Sequence, residues 1–335
     1  MPFPGKRSRI MLGLAVTAAV AIAVGAGIGT ADASTRGLWW GGGKPKPKPT
    51  ASASVKPSTS PSPSASTKPS ATASAPASAS TAPTSTSTST STTAGTVAPP
   101  PANASFDYQI GGPYTPPAGV KVVSRDHDAS PAAGLYNICY VNAFQAQTDA
   151  NSWWKTNHPD LLLHDAKGNL VVDKDWNEIL LDFSTAQKRA GLTAIVGGWI
   201  DGCAAKGFKG VEPDNLDSWT RSGGLLTKAQ AVAYAQSLAA YAHGKGLAIG
   251  QKNTADLGAA SARQIGFDFA VAEECADYNE CGDYTAVYGN NVIVIEYSQS
   301  QFTKACNSYG STLSIVLRDV DVTTPGSGSY VFKSC

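Results

Sequence analysis

Beyond residue 102 the chain is punctuated by short apolar runs that stop abruptly at polar residues. Eight of them stand between turn signals: Tyr108-Gln109-Ile110, Val120 to Val123, Leu135 to Val141, Gly210-Val211, Leu247 to Ile249, Phe267 to Ala272, Val292 to Ile295 and Leu313 to Leu317. Runs of this length and character read as strands buried on both faces, the form strands take in a parallel sheet. Parallel strands need crossover connections, and helix-like stretches fill several intervals. The clearest runs from Thr227 to Lys245, with Thr227 as N-cap and Gly246 as stop, and with Val232, Ala235, Leu238, Ala239 and Ala242 on one inward face. Eight strands in about 230 residues favour a closed (β/α)₈ TIM-type barrel over an open doubly wound sheet.

The first third of the chain obeys different rules. Lys6, Arg7 and Arg9 precede an uncharged apolar stretch from Ile10 to Ile28, and Ala31-Asp32-Ala33 supplies small residues for cleavage. Residues 1–33 therefore read as a secretory signal peptide, with an uncleaved membrane anchor as the alternative. Residues 34–102 are dominated by Pro, Ser, Thr, Ala and Lys, as in Lys44-Pro45-Lys46-Pro47 and Ser85-Thr86-Ser87-Thr88. Such a segment lacks the apolar surface to fold and reads as a disordered, semi-rigid linker. It would hold residues 103–335, one domain's worth of chain, away from a cell surface or an anionic wall. The expected location is extracellular, with cell-wall association through the linker, and the expected state is a monomer.

All six cysteines, Cys139, Cys203, Cys275, Cys281, Cys306 and Cys335, lie in the later part. An even number behind a signal peptide argues for disulfides, and no Cys or His spacing suits zinc, so no metal is expected. Cys275 and Cys281 are close enough to clip one loop; Cys306 with Cys335 and Cys139 with Cys203 is one way to pair the rest, among connectivities that sequence leaves open. Glycine-rich phosphate loops are missing from the first strand onward, so no cofactor is expected. Of the chain's 26 basic and 25 acidic side chains, nine and one fall in residues 1–102. The remainder carries seventeen against twenty-four, an acidic balance that disfavours nucleic acid and suits a cationic ligand.

In a (β/α)₈ barrel the C-terminal ends of the strands converge on one mouth. Here those ends are strongly polar: Asp126 follows the second run, Asn142 the third, Glu212, Asp214 and Asn215 the fourth, and Lys252 and Asn253 the fifth. Glu273 and Glu274 end the sixth, Glu296 and Tyr297 the seventh, Arg318 and Asp319 the eighth. Glycoside hydrolysis needs two carboxyl groups facing one bond, one protonated to donate to the leaving oxygen and one ionised as nucleophile or base. Crowded acids beside a few cations can separate those roles by raising one pKa and lowering another. The alternative is a ring of salt bridges with no chemistry. Trp153, Trp154, Trp176, Trp199, Trp219, Tyr278, Tyr284 and Tyr297 are candidates to stack on sugar rings, most of them read as core, and Trp219 and Tyr297 stand out because they lie just beyond acidic strand ends. Alternation along an extended strand puts Glu273 and Glu274 on opposite sides, so only one of them should enter the mouth.

Several ordered motifs coincide with one family. Phe106-Asp107-Tyr108-Gln109-Ile110-Gly111-Gly112, Tyr136-Asn137-Ile138-Cys139-Tyr140-Val141-Asn142-Ala143-Phe144-Gln145, Val211-Glu212-Pro213-Asp214-Asn215-Leu216-Asp217, Ile249-Gly250-Gln251-Lys252-Asn253, Ala272-Glu273-Glu274-Cys275 and Ile295-Glu296-Tyr297 resemble the family 114 glycoside hydrolases. The resemblance implies a (β/α)₈ barrel with endo-α-1,4-polygalactosaminidase activity on a galactosamine-rich, cationic polysaccharide. It carries over Asp214 as nucleophile or base and Glu274 as acid, with Glu212 and Glu273 as competitors and the roles reversible. A non-catalytic carbohydrate-binding wall protein on the same barrel is the second reading.

Overall fold

The computed structural model describes residues 97–335. The expected signal peptide at 1–33 and residues 34–96 of the expected linker lie outside the described residues. Strands occur at β1 Phe106–Gln109, β2 Val122–Asp126, β3 Tyr136–Asn142, β4 Gln145–Ala146, β5 Val172–Asp173, β6 Glu178–Leu180, β7 Gly210–Asp214, β8 Ala248–Lys252, β9 Phe269–Glu273, β10 Val292–Glu296, β11 Ser314–Arg318 and β12 Phe332–Ser334. The eight apolar runs correspond to β1, β2, β3 and β7 to β11. These pair in that order, every ladder between them parallel. The expected (β/α)₈ TIM-type barrel is therefore the fold.

The barrel closes by side chains where no ladder joins β1 to β11 among the described residues. Asn103 Nδ2 donates to Ser311 O at 2.9 Å, the Ala104 amide donates to Ser314 Oγ at 3.0 Å, and Arg318 reaches Asp107 at 3.3 Å. Strand β12 runs antiparallel on β11, and its end is tied to the helix before it by Cys306–Cys335. Cys139–Cys203 and Cys275–Cys281 complete the pairing. The first of these closes the longest loop, with a sequence separation of 64, and stabilises by roughly 4 kcal/mol in the chain-entropy picture.

Helices are α1 Asn151–Asn157, α2 Ala186–Lys206, α3 Lys228–Gly244, α4 Ala259–Ile265, α5 Cys275–Tyr278, α6 Cys281–Tyr288 and α7 Gln299–Tyr309. The sequence signals for α3 act as expected. Thr227 and Gln230 form a reciprocal capping box, and Val232, Ala235, Leu238, Ala239 and Ala242 are buried. Strands β1 and β2 are followed by loops rather than helices, and β3 leads into an inserted antiparallel sheet, β4-β6-β5, which sequence reading missed.

Inside the barrel Phe106, Tyr108, Val122, Ile138, Phe269, Val271, Ile293, Ile295 and Val316 form the packed core. Gly250 is required there: a Cβ on it would meet the Phe269 ring at 2.7 Å. Below the barrel, Val97 packs on this core, Tyr136 Oη donates to Ala98 O at 2.7 Å, and Asn291 Nδ2 donates to Pro100 O at 3.0 Å. Tyr136 opens β3 and Asn291 precedes β10, so the chain enters at the base, opposite the mouth.

Candidate active site

Strand alternation decides which polar ends face inward. In β9 the inward residues are Phe269, Val271 and, by the same parity, Glu273; in β8 Lys252 shares the parity of Ala248 and Gly250; in β7 Glu212 and Asp214 share one face, two residues apart. These side chains meet. Lys252 Nζ lies 2.8 Å from Glu212 Oε1, 3.6 Å from Asp214 Oδ1 and 3.5 Å from Glu273 Oε2. The last two oxygens are therefore no more than about 7 Å apart, a span compatible with two carboxyl groups flanking one glycosidic bond.

Each carboxyl has its own supports. Glu212 is fully buried and accepts from Tyr108 Oη at 2.9 Å and Ser124 Oγ at 2.6 Å. Asp214 accepts from Tyr140 Oη and from the Asn215 backbone amide, both at 2.8 Å. Glu273 accepts from Asn253 Nδ2 at 2.8 Å and Tyr297 Oη at 2.5 Å, while its own amide donates to Asn253 Oδ1. Burial alone would lower the Lys252 ammonium, but Asp214, Glu212 and Glu273 outweigh it and hold the group well above its ordinary value. Burial pushes Glu212 up; Lys252 and Ser124 pull it back, and the net direction is upward. Burial and the neighbouring carboxylates also keep Tyr108, Tyr140 and Tyr297 as neutral phenols, able to donate.

Above the cluster opens a cavity of about 510 Å³. Asp214, Glu273 and Glu274 line it, together with Glu178, Asp217, Asp256, Glu280 and Asp321; no Lys, Arg or His does so among the described residues. The charge of Asp217 is offset by Arg221, which holds it at 2.8 Å. Trp176, 42% exposed, and Tyr108, Tyr140, Tyr278 and Tyr297 supply aromatic surface in the same cavity. Glu212 and Lys252 do not line it; they sit one layer beneath.

The sequence candidates thus divide. Asp214, Asn215, Asn253, Glu273, Glu274 and Tyr297 share the cavity. Glu274 reaches it although alternation would exclude it, because its backbone leaves the strand at φ 57 and enters α5. Asn142 lies one layer back, donating to Glu178 at 2.9 Å and accepting from Asn215 at 3.0 Å. Glu296 is elsewhere: it has the outward parity of Val292 and Val294 and is buried under α5, where it accepts from the Ala276 amide at 2.9 Å. Burial raises its carboxyl to about 7.

Arg318 and Asp319 serve the seam and the loop before β12, Asp319 accepting from the Thr323 amide at 2.9 Å. Trp219 packs on the core outside the barrel, and Asp126 stands beside His127, whose ring stacks on Trp199 at 5.0 Å. Cys275, Cys281 and Glu296 cluster within the reach of one metal ion, but both sulfurs are spent in a disulfide. Glu178, on the inserted sheet, and the tyrosines Tyr108 and Tyr140 were not singled out as site residues from sequence, and Trp176, in the turn between β5 and β6, was one aromatic candidate among several. Inward parity near a strand end was the available signal for the tyrosines: Tyr108 shares the parity of Phe106, and Tyr140 that of Ile138.

Residues 86–335 match the family model for glycoside-hydrolase family GH114. Among solved structures, Ega3 of Aspergillus fumigatus, in complex with galactosamine, aligns over 70% of this chain and 96% of its own at 24% identity and a TM-score of 0.58. The glycoside hydrolase domain of PelA from Pseudomonas aeruginosa aligns over 68% of this chain and 98% of its own at 14% identity and a TM-score of 0.45. No curated protein matches the chain.

Proposed function

The chain belongs to glycoside-hydrolase family GH114, and on that premise we propose that it cleaves within an α-1,4-linked, galactosamine-containing polysaccharide by paired-carboxylate catalysis. The carrying observation is the convergence of Asp214 and Glu273 on Lys252, at the floor of a cavity lined by eight acids and no base among the described residues. Asp214 is the nucleophile or base. A backbone N–H from Asn215 and the Tyr140 phenol are aimed at it. Glu273 is the acid, on the other side of the Lys252 ammonium.

Substrate class follows from the lining. A deacetylated galactosamine polymer carries ammonium groups, and a cleft with this acid excess attracts them; the galactosamine in the Ega3 structure is of the same chemistry. Trp176 and the partly exposed Tyr278 and Tyr297 offer faces to the apolar sides of sugar rings. In this reading the protein is secreted as a monomer, and the linker holds the catalytic domain away from a cell surface or wall.

The test is release of new reducing ends from α-1,4-linked galactosamine polymer and from its fully N-acetylated counterpart. Oligomers should appear from the first far faster than from the second. Binding without any release would favour a carbohydrate-binding protein, and equal release would remove the charge argument.

A further inference from the structure

Glu212 is the acid nearest to Lys252, yet it is out of reach of any ligand in the cavity. Its two oxygens are taken up by Tyr108 from β1, Ser124 from β2 and Lys252 from β8. Lys252 is itself 1% exposed and is boxed by Glu212 and Asp214 of β7, Glu273 of β9 and the rings of Tyr108 and Tyr140, at 5.2 and 5.6 Å from its ammonium. Tyr297 and Glu274 complete the ionisable groups around Glu273. A glycosidase needs two carboxyl groups; this barrel buries a third, at the cost of taking another charge out of water.

We propose that Glu212 is a positioning residue that sets the charge balance of the site: by neutralising most of the Lys252 ammonium from below, it leaves too little positive charge to hold both Asp214 and Glu273 ionised. One proton then stays between the two groups facing the substrate, and the general acid is loaded at neutral pH. One ammonium against three carboxylates is a coupled system, so the proton belongs to the cluster. Without the Glu212 charge, Lys252 would act on Asp214 and Glu273 at full strength, and the acid would lose its proton at lower pH. The inference rests on reading Asp214 and Glu273 as the acting pair.

The experiment is the pH profile of kcat/KM on galactosamine polymer for wild type, Glu212→Gln and Ser124→Ala, with thermal unfolding recorded alongside. Glu212→Gln should move the alkaline limb down by about one pH unit. Ser124→Ala, which deprives the Glu212 carboxylate of its 2.6 Å donor, should move it the same way by less. If Glu212→Gln does not fold, Ser124→Ala alone decides. A rate lowered equally at every pH with an unmoved limb would make Glu212 a structural residue and overturn the proposal. So would loss of all activity in Glu212→Gln with rescue by azide, which would make it the nucleophile. Asp214→Asn and Glu273→Gln separate the two failures: if either is as active as wild type, the reading of the pair has failed; if both are inactive and the limb is unmoved, only the role of Glu212 has.

Discussion

Two ionic clusters are buried in this barrel, and they are built on opposite plans. At the seam two carboxylates face Arg318, Asp107 at 3.3 Å and Asp319 at 3.7 Å, and Asp107 also accepts from Tyr114 Oη at 2.9 Å and Gln109 Nε2 at 2.7 Å. The remaining Arg318 donors end on the carbonyls of Val331 and Thr323, and those of Arg125 on Gln109, Ser130 and Tyr114. Guanidinium groups stay charged at any working pH and each nitrogen of both forks has a partner, so the cations of this cluster have no proton to move. At the mouth the balance is different: one flexible ammonium serves three carboxylates, two of them facing a cavity. The difference teaches that burial alone does not mark chemistry. Guanidinium groups matched by as many carboxylates close a barrel, whereas an acid excess around a single lysine leaves a proton to be placed.

The largest stability effect that separates the two plans is expected from Lys252→Met. Removing the cation that they share strands the buried Glu212 and Asp214 and the partly exposed Glu273, a loss of about 3–5 kcal/mol that should grow as pH rises and shrink where the acids take up protons. Denaturant unfolding at several pH values reads it, and a loss independent of pH would break the distinction. Arg318→Met should also destabilise, by roughly 3 kcal/mol from the stranded Asp107, yet leave the pH profile of activity in place. A shifted alkaline limb in that variant would mean the seam and the mouth are one electrostatic unit.

Glu296 gives a smaller and cleaner case, a buried acid outside both clusters. Its carboxyl is raised from 4.5 to about 7, so the folded state binds the extra proton between those values. Stability contributed by this group is complete below about pH 4.5, falls as pH rises through 7, and then levels off, a span of up to about 3 kcal/mol. Glu296→Gln should abolish that slope while leaving the activity profile unmoved; an unchanged slope would contradict its isolation. The smallest effect is that of salt. Raising ionic strength from low to physiological should weaken binding of the cationic polymer several-fold, and unchanged KM would sink the charge-steering argument.

Much of this was legible in the sequence because apolar runs and caps are local signals. The eight barrel strands, the α3 capping box and the acid excess beyond residue 102 all came through. Direction was harder to read. Glu296 and Arg318 end strands as Glu273 and Lys252 do, and only the parity against Ile293 and Ile295 tells that Glu296 points away from the mouth. Glu274 escapes parity because a left-handed backbone residue re-aims it, which no run of letters announces. The inserted sheet was missed because strands of two or three residues leave no alternation to find, and with it went Glu178.

The central claim is that Asp214 and Glu273 are the acting carboxyl pair. It is tested most directly by product release from α-1,4-linked galactosamine polymer by wild type, Asp214→Asn, Glu273→Gln and Glu274→Gln, each checked for wild-type thermal unfolding. The account predicts losses of about 10³-fold or more for the first two variants and measurable activity in the third. Wild-type release by Asp214→Asn or Glu273→Gln, or a loss confined to Glu274→Gln, would contradict it.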